Sequence, residues 1–229
     1  MKQIAFLSGA GVSKESGIST FRDSDGLWEN YPVEKVASID GWYENPKLVL
    51  DFYNQRRKEL QSCKPNKAHQ IIAELEKDFK VWTITQNVDN LHEKAGSTNI
   101  IHLHGELTKA HAENDEAHPF DIGYNDINIG DVNEKGIQIR PHIVWFGEAV
   151  PMIEKAAEII SKSDILVVIG TSLNVYPAAG LIRYIKSGTP IFLVDPNNIS
   201  LNYAHYTQIT DVATKGMEKL KKILLEQYK

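Results

Sequence analysis

Short apolar runs, each bounded by polar or turn-forming residues, recur along the chain: Ile4 to Leu7, Val81 to Thr85, Ile165 to Ile169 and Ile191 to Val194. Uninterrupted apolarity over so few residues is the pattern of a strand covered on both faces, as in a parallel sheet. Between these runs lie segments with helical spacing. Ala68, Ile71, Ile72 and Leu75 precede Val81, and Ala178, Leu181, Ile182 and Ile185 precede Ile191. The alternation predicts an α/β protein with a doubly wound parallel sheet. Asn45-Pro46 reads as an N-cap followed by proline at the first helical position, opening a helix to about Gln61. Its inner stripe is expected to be Val49, Phe52, Tyr53, Arg56 and Leu60. Met217 to Tyr228, with Leu220, Ile223 and Leu224 on one face, reads as a closing amphipathic helix. Residues 105–139 break the pattern. Ala112-Glu113-Asn114-Asp115-Glu116 and the Asn, Asp and Gly beyond offer little to bury, so a small polar insertion or loop module is expected there.

Composition narrows the picture. With 229 residues, 42% of them hydrophobic, the chain can bury one substantial core or carry a large domain with a small insertion. The longest apolar stretches, such as Ile165 to Ile169, fall far short of the roughly 20 residues that cross a bilayer. No basic-then-apolar leader precedes Gln3-Ile4-Ala5-Phe6-Leu7, so a cytoplasmic protein with no membrane partner is expected. A formal charge of −5 offers no general attraction for nucleic acid and suits basic peptides better. The single cysteine, Cys63, excludes an intrachain disulfide and a cysteine-rich zinc site.

Candidate chemistry begins at Gly9-Ala10-Gly11, directly after the first apolar run. Glycines at a strand-to-helix turn let backbone N–H groups approach a pyrophosphate; they also serve ordinary turns for conformational reasons. The common dinucleotide fingerprint fails, because Lys14 stands where a third glycine belongs and Gln86, not an acid, follows the strand ending at Thr85. The longer pattern adds Val12-Ser13, Gly17-Ile18 and Thr20-Phe21-Arg22, which joins a phosphate turn to an arginine able to pair bidentately with phosphate.

Four further blocks follow in order: Thr85-Gln86-Asn87-Val88-Asp89-Asn90-Leu91-His92, His102-Leu103-His104-Gly105, Val144-Trp145-Phe146-Gly147-Glu148 and Gly170-Thr171-Ser172. Together with the glycine block, and over about residues 4 to 225, the chain resembles the sirtuins, the NAD-dependent protein lysine deacylases. The resemblance implies a Rossmann-like large domain (about 1–30, 66–104 and 148–229), a smaller inserted domain (about 31–65 and 105–147), and an acyl-lysine protein or peptide bound between them. It implies NAD as a consumed co-substrate, held by Gly9, Ala10, Gly11, Ser13, Phe21, Arg22 and Trp28. Gln86, Asn87 and Asp89 would orient the nicotinamide end, with Asn87 and Asp89 counted as catalytic. Gly170, Thr171 and Ser172 follow an apolar strand, where doubly wound sheets place ligands. Asp195 stands where the family often has asparagine near the adenosine ribose, and Val212 is matched to an adenine contact.

His104 resembles the family's general base. The implied reaction has the acyl oxygen displace nicotinamide from the ribose, giving an ADP-ribosyl imidate. His104 then assists a ribose hydroxyl in attacking that carbon, and water releases free lysine and O-acyl-ADP-ribose. Histidine suits the task, since its ordinary pKa leaves a proton-accepting fraction near neutrality. A histidine beside an apolar run is otherwise a packed residue, the role assigned to His92 and His102.

Tyr53 and Arg56 are spaced to point the same way from one helix. A buried arginine needs an anion, and a carboxylate-ended acyl chain would meet its fork; an internal ion pair or a snorkelling side chain is the plainer reading. Phe52-Tyr53-Asn54-Gln55-Arg56-Arg57 resembles the motif of the branch that removes succinyl and malonyl groups, and Arg140-Pro141-His142 before the Val144 block fits it too. Arg57 is expected to face solvent. Val144, Trp145 and Phe146 read either as packing or as a strand edge that pairs with an extended peptide. Most sirtuins carry two cysteine pairs for a structural zinc between the catalytic histidine and this block. Here that stretch has none, so no metal is expected, His111, His118 and nearby acids being read as part of a solvated loop. Two other functions would use the same NAD motifs: mono-ADP-ribosyl transfer, and non-catalytic NAD sensing, against which Asn87, Asp89 and His104 argue.

Overall fold

The computed structural model describes residues 1–18, 31–201, 203 and 205–229. Phe21, Arg22 and Trp28 lie outside the described residues. The apolar runs form the middle of a parallel sheet. Its strands are β1 (Gln3–Ser8), β2 (Lys80–Thr85), β3 (Ile100–His102), β7 (Ile165–Ile169), β8 (Ile191–Val194) and β9 (Thr207–Ile209). They lie in the order β3-β2-β1-β7-β8-β9, every pair parallel. Alternate residues on β1 face opposite layers. Ile4 and Phe6 join Val167 and Ile169 beneath α4 (Lys67–Glu74) and α7 (Ala213–Gln227), where Ile72, Met217 and Leu220 are buried. Ala5 and Leu7 join Leu166 and Val168 beneath α6 (Ile153–Lys162) and the segment Ala178–Tyr184. That last segment winds as a 3-10 helix, although its apolar spacing predicts an ordinary one. Among the described residues, no helix is long and apolar enough to cross a membrane.

The chain winds outward from β1 through β2 to β3, then returns to the other side of β1 to lay down β7, β8 and β9. The switch point therefore lies between β1 and β7, and a crevice opens at their carboxyl ends, the general ligand position of such sheets. Gly9 and Gly170 are the residues that leave those two strands.

The remaining helices are α1 (Val33–Val36), α2 (Ile39–Glu44), α3 (Pro46–Ser62) and α5 (Leu91–Ala95). Asn45 caps α3 as expected, its Oδ1 accepting from Leu48 N at 3.1 Å with Pro46 following. Residues 105–139 are not simply a loop. They contribute β4 (Gly105–Ala112) and β5 (Asp115–Asp121), joined by a tight turn, and with β6 (Ile139–Ile143) they make an antiparallel sheet ordered β5-β4-β6. The polarity that hides this sheet comes largely from β5, an edge strand that is exposed after its first residue and carries Pro119. Central β4 supplies buried Leu107 and Ala110 to a third apolar cluster, with Trp42, Phe52, Tyr53, Ile127 and Trp145.

Helix α3 corrects one expectation. Arg57, expected in solvent, is 0% exposed. Its Nε donates to Asn125 O at 3.0 Å, Nη1 to Leu107 O at 3.5 Å and Nη2 to Asn54 Oδ1. Asn54 in turn grips the Ile127 backbone twice, at 2.9 Å each. Five donors in a rigid plane let arginine answer several carbonyls at once, so here it ties α3 to β4 and to the irregular stretch before β6. Burial pushes the Arg57 pKa down to about 10, which leaves it a cation at neutral pH. Arg56, placed in the inner stripe by sequence, is half-buried instead.

Candidate functional site

The crevice between the two sheets holds a cavity of about 720 Å³. Every sequence-predicted site residue within the described regions lines it. At one end is the glycine turn, a short 3-10 segment over Ala10–Val12. A Cβ on Gly11 would come within 2.8 Å of the Gly170 Cα, and Gly170 adopts φ +62. Gly9 N donates to Ile169 O at 3.0 Å and Gly11 N to Gly170 O at 2.9 Å. The two strand ends are thus laced together with bare backbone, which suits a phosphate approaching at van der Waals distance. Ala10, Thr171, Ser172, Asp195 and Val212 line the same end. Asp195 is turned on its own loop, its Oδ1 accepting from Asn197 N at 2.9 Å.

Ser13 organises the next part. Its hydroxyl donates to Asp89 Oδ2 at 2.9 Å and accepts from Asn87 Nδ2 at 3.1 Å. His69 Nδ1 accepts from Asn66 N at 3.3 Å, so Nε2 carries the hydrogen and donates to Ser13 Oγ at 3.4 Å. Burial pushes the His69 pKa down to about 4, keeping the ring neutral in this role. Asp89 also accepts from Leu91 N at 3.1 Å; burial raises its carboxyl above the ordinary range against the pull of these two donors. Gln86 Nε2 donates to Thr171 Oγ1 at 3.1 Å, bridging the β2 and β7 loops across the crevice.

His104 follows β3. Its Nδ1 donates to Gln86 O at 3.0 Å, leaving Nε2 the acceptor nitrogen. Burial lowers its pKa below the usual histidine value, only partly countered by that hydrogen bond. The arrangement gives a neutral, oriented base.

The far end is lined by Tyr53 and Arg56, together with Leu60, Val88 and Leu107, which sequence reasoning did not assign to the site. These apolar positions are ordinary core residues in any sequence pattern, and only their meeting at one wall marks them. Tyr53 Oη accepts from Trp145 Nε1 at 2.9 Å, and burial pushes the phenol pKa up to about 12, so its own hydrogen stays available for donation. Arg56 stacks 5.7 Å from the Phe52 ring centre, and burial lowers its pKa against the opposing charges of Tyr53, Asp89 and Glu59.

The backbone N–H groups of the Val144 block are paired within the chain. Val144 N donates to His104 O at 3.0 Å, Trp145 N to Glu148 Oε2 at 2.8 Å and Phe146 N to Ala37 O at 2.9 Å. Phe146 forms an isolated parallel bridge with Ser38 just past the end of β6, and the chain then turns at Gly147. Arg140 fixes that turn, pairing with Glu148 at 2.5 Å while lying 4.2 Å from the Trp145 ring centre. The block lines the cavity with side-chain surface, Phe146 being half exposed. His111 and His118 are not brought together: His111 is buried 3.0 Å from His142 Nδ1, whereas His118 is exposed beside Asp115.

A doubly wound sheet whose switch point carries a glycine cradle, with an oriented histidine base across the crevice, defines a nucleotide-using α/β enzyme. Residues 9–177 match the Sir2 family, and the chain belongs to it. A protein of Bacteroides thetaiotaomicron named NAD-dependent protein deacylase is 51% identical over 231 residues, covering 98% of this chain and 99% of that one. One of the same name from Helicobacter pylori is 48% identical over 230 residues, covering 99% of each. A solved Sir2 homologue in complex with NAD is 36% identical with a TM-score of 0.87, covering 98% of this chain and 90% of that one. A Sir2 protein solved with a deacetylated p53 peptide and 3'-O-acetyl ADP ribose is 27% identical with a TM-score of 0.79, covering 98% and 93%.

Proposed function

We propose that this NAD-dependent protein deacylase removes acetyl groups and acidic acyl groups such as succinyl or malonyl from protein lysines, releasing nicotinamide and O-acyl-ADP-ribose. The observation that carries the reading is one cavity lined at once by the Gly9 to Gly11 cradle, the Asn87 and Asp89 pair, His104, and Tyr53 with Arg56. The cradle takes the phosphates of NAD, with Phe21, Arg22 and Trp28 assigned to the same co-substrate. Gln86, Asn87 and Asp89 orient its nicotinamide end, Asn87 and Asp89 being held by Ser13. Thr171, Ser172, Asp195 and Val212 flank the adenosine. His104 Nε2 accepts a proton from a ribose hydroxyl, which histidine can do because Gln86 O fixes the hydrogen on Nδ1. The side chains of Val144, Trp145 and Phe146 border the acyl-lysine.

Tyr53 and Arg56 determine the acyl preference. A phenol held protonated and a guanidinium three residues along α3 make a donor pair for a carboxylate. Arg56→Met should lower desuccinylation roughly 10- to 100-fold relative to deacetylation, the worth of a charged hydrogen bond. An unchanged ratio in an acyl-lysine peptide series would overturn the clamp.

The two domains of this reading are the large one, about 1–30, 66–104 and 148–229, and the small one, about 31–65 and 105–147. The small one is held by Arg57 and Asn54 rather than by zinc, in the cytoplasm. Mass spectrometry of acetyl-, succinyl- and malonyl-lysine peptides incubated with NAD tests the whole. Acyl loss with nicotinamide release is the expected result; if no peptide loses its acyl group the reading fails, and label passing from NAD to protein would favour ADP-ribosyl transfer.

A further inference from the structure

Past Thr85, the pairing of the β2 loop with the stretch from the end of β3 onward is carried on by two histidine side chains and one backbone bond. Gln86 O accepts from His104 Nδ1 at 3.0 Å, Asn87 O from His102 Nδ1 at 3.0 Å, and Val88 O from Leu107 N at 2.8 Å. Three successive carbonyls of the loop bearing Asn87 and Asp89 are therefore held from the stretch His102 to Leu107. His102 has a second anchor that His104 lacks. Its Nε2 lies 2.7 Å from Glu93 Oε1, on the helix α5 that opens just after Asp89. The His102 side chain is only 8% exposed.

Both ring nitrogens of His102 thus face acceptors, one a carbonyl and one a carboxylate. A neutral imidazole has one hydrogen and would set a lone pair against one of them. The doubly protonated ring satisfies both, and it closes the loop at each end: at Asn87 through the carbonyl and at Glu93 through the carboxylate.

We infer that His102, held as an imidazolium between the Asn87 carbonyl and the Glu93 carboxylate, is a positioning residue that fixes the Asn87–Asp89 loop and sets the alkaline limit of catalysis. It rests on the deacylase reading for the roles of Asn87 and Asp89, and His102 itself touches no substrate. The charged and titratable groups around it favour the cation. Glu93 faces it from α5, Glu106 from β4 and Asp89 from the loop, while His92 on α5 and His142 on β6 are kept neutral by burial. Lys109 is drawn to Glu106 at 2.8 Å. Burial works against the charge, but the hydrogen bond and charge of Glu93, with Glu106 and the Asn87 carbonyl, outweigh it and raise the His102 pKa above the usual histidine value. Deprotonation as pH rises through that raised value would turn a lone pair toward Glu93 and release the loop.

The test is the pH dependence of kcat and kcat/KM on an acyl-lysine peptide for the wild type, Glu93→Gln and His102→Gln. It is paired with an NMR titration of the histidine ring protons, using His102→Gln to assign the resonance. The wild type should lose activity on the alkaline side. Glu93→Gln should move that limb to lower pH by about one unit, the loss of one close charge. His102→Gln should abolish the limb and lower kcat about tenfold, with peptide KM within about twofold, because a loop interaction and not peptide binding is lost. Superimposable wild-type and Glu93→Gln profiles, or a His102 titration at or below pH 6.5, would overturn the inference. A wild type inactive on every peptide would sink the deacylase reading, and the NMR titration would still decide the state of His102.

Discussion

Replacing His104 with glutamine should lower deacylation roughly 10²- to 10⁴-fold, the usual worth of a positioned general base. Glutamine keeps an N–H that can reach the Gln86 carbonyl, so the local backbone is preserved while the proton acceptor is lost. NAD affinity, measured by calorimetry, should stay within about threefold, because the phosphate cradle of Gly9 to Gly11 does not include His104 and binding there is separable from proton transfer. A variant retaining a tenth or more of wild-type turnover would remove His104 from the role of base. The pH profile gives a second check. The base works unprotonated, and burial places its pKa below the ordinary value, so the acid limb should fall below pH 6.5. Activity is then full through neutrality and declines only as pH drops past the lowered value.

Arg57→Leu should destabilise the protein by ~3 kcal/mol, because it leaves the Asn125 and Leu107 carbonyls and Asn54 Oδ1 without their shared donor in a buried place. For a chain of this size that corresponds to a fall in Tm of roughly 6–12 °C by calorimetry. Arg57→Lys should fall between, since it keeps the charge and loses the planar fork. A chelator should leave the wild-type Tm unchanged. If the chelator lowered Tm and metal analysis returned zinc, the small domain would be metal-held and Arg57 an accessory. If Arg57→Leu melted with the wild type, the tie between α3 and β4 would carry no weight. The region at stake also holds Tyr53 and Trp145, so acyl turnover should fall together with stability.

The contrast between Arg56 and Arg57 shows how far the chain could be read directly. The period of α3 fixes that adjacent residues face directions about 100° apart, but not which direction is lined with carbonyls. Asn125 and Leu107 lie far along the sequence and are brought to Arg57 only by the antiparallel sheet. That sheet was itself obscured, because an exposed edge strand has no buried face to write an alternating pattern. The partners of the Val144 block, the His104 and Ala37 carbonyls, likewise lie far along the sequence. His102 was read as structural, and its two acceptors, one from the β2 loop and one from α5, meet only in the fold.

By itself the sequence determined the parallel strands, the helices that cover them, the capped start of α3 and the membership of the glycine turn, Asn87, Asp89 and His104 in one site. The strands, helices and cap follow from local physics, since their signals are contiguous in the chain, whereas the grouping of the glycine turn with Asn87, Asp89 and His104 came from the resemblance to the sirtuins. The tertiary structure decided which nitrogen of His104 is the acceptor, which arginine of α3 is buried and how α3 is tied to β4 and to the stretch before β6. Those outcomes depend on donors and acceptors meeting across large separations in sequence, and a periodic pattern carries no record of such partners.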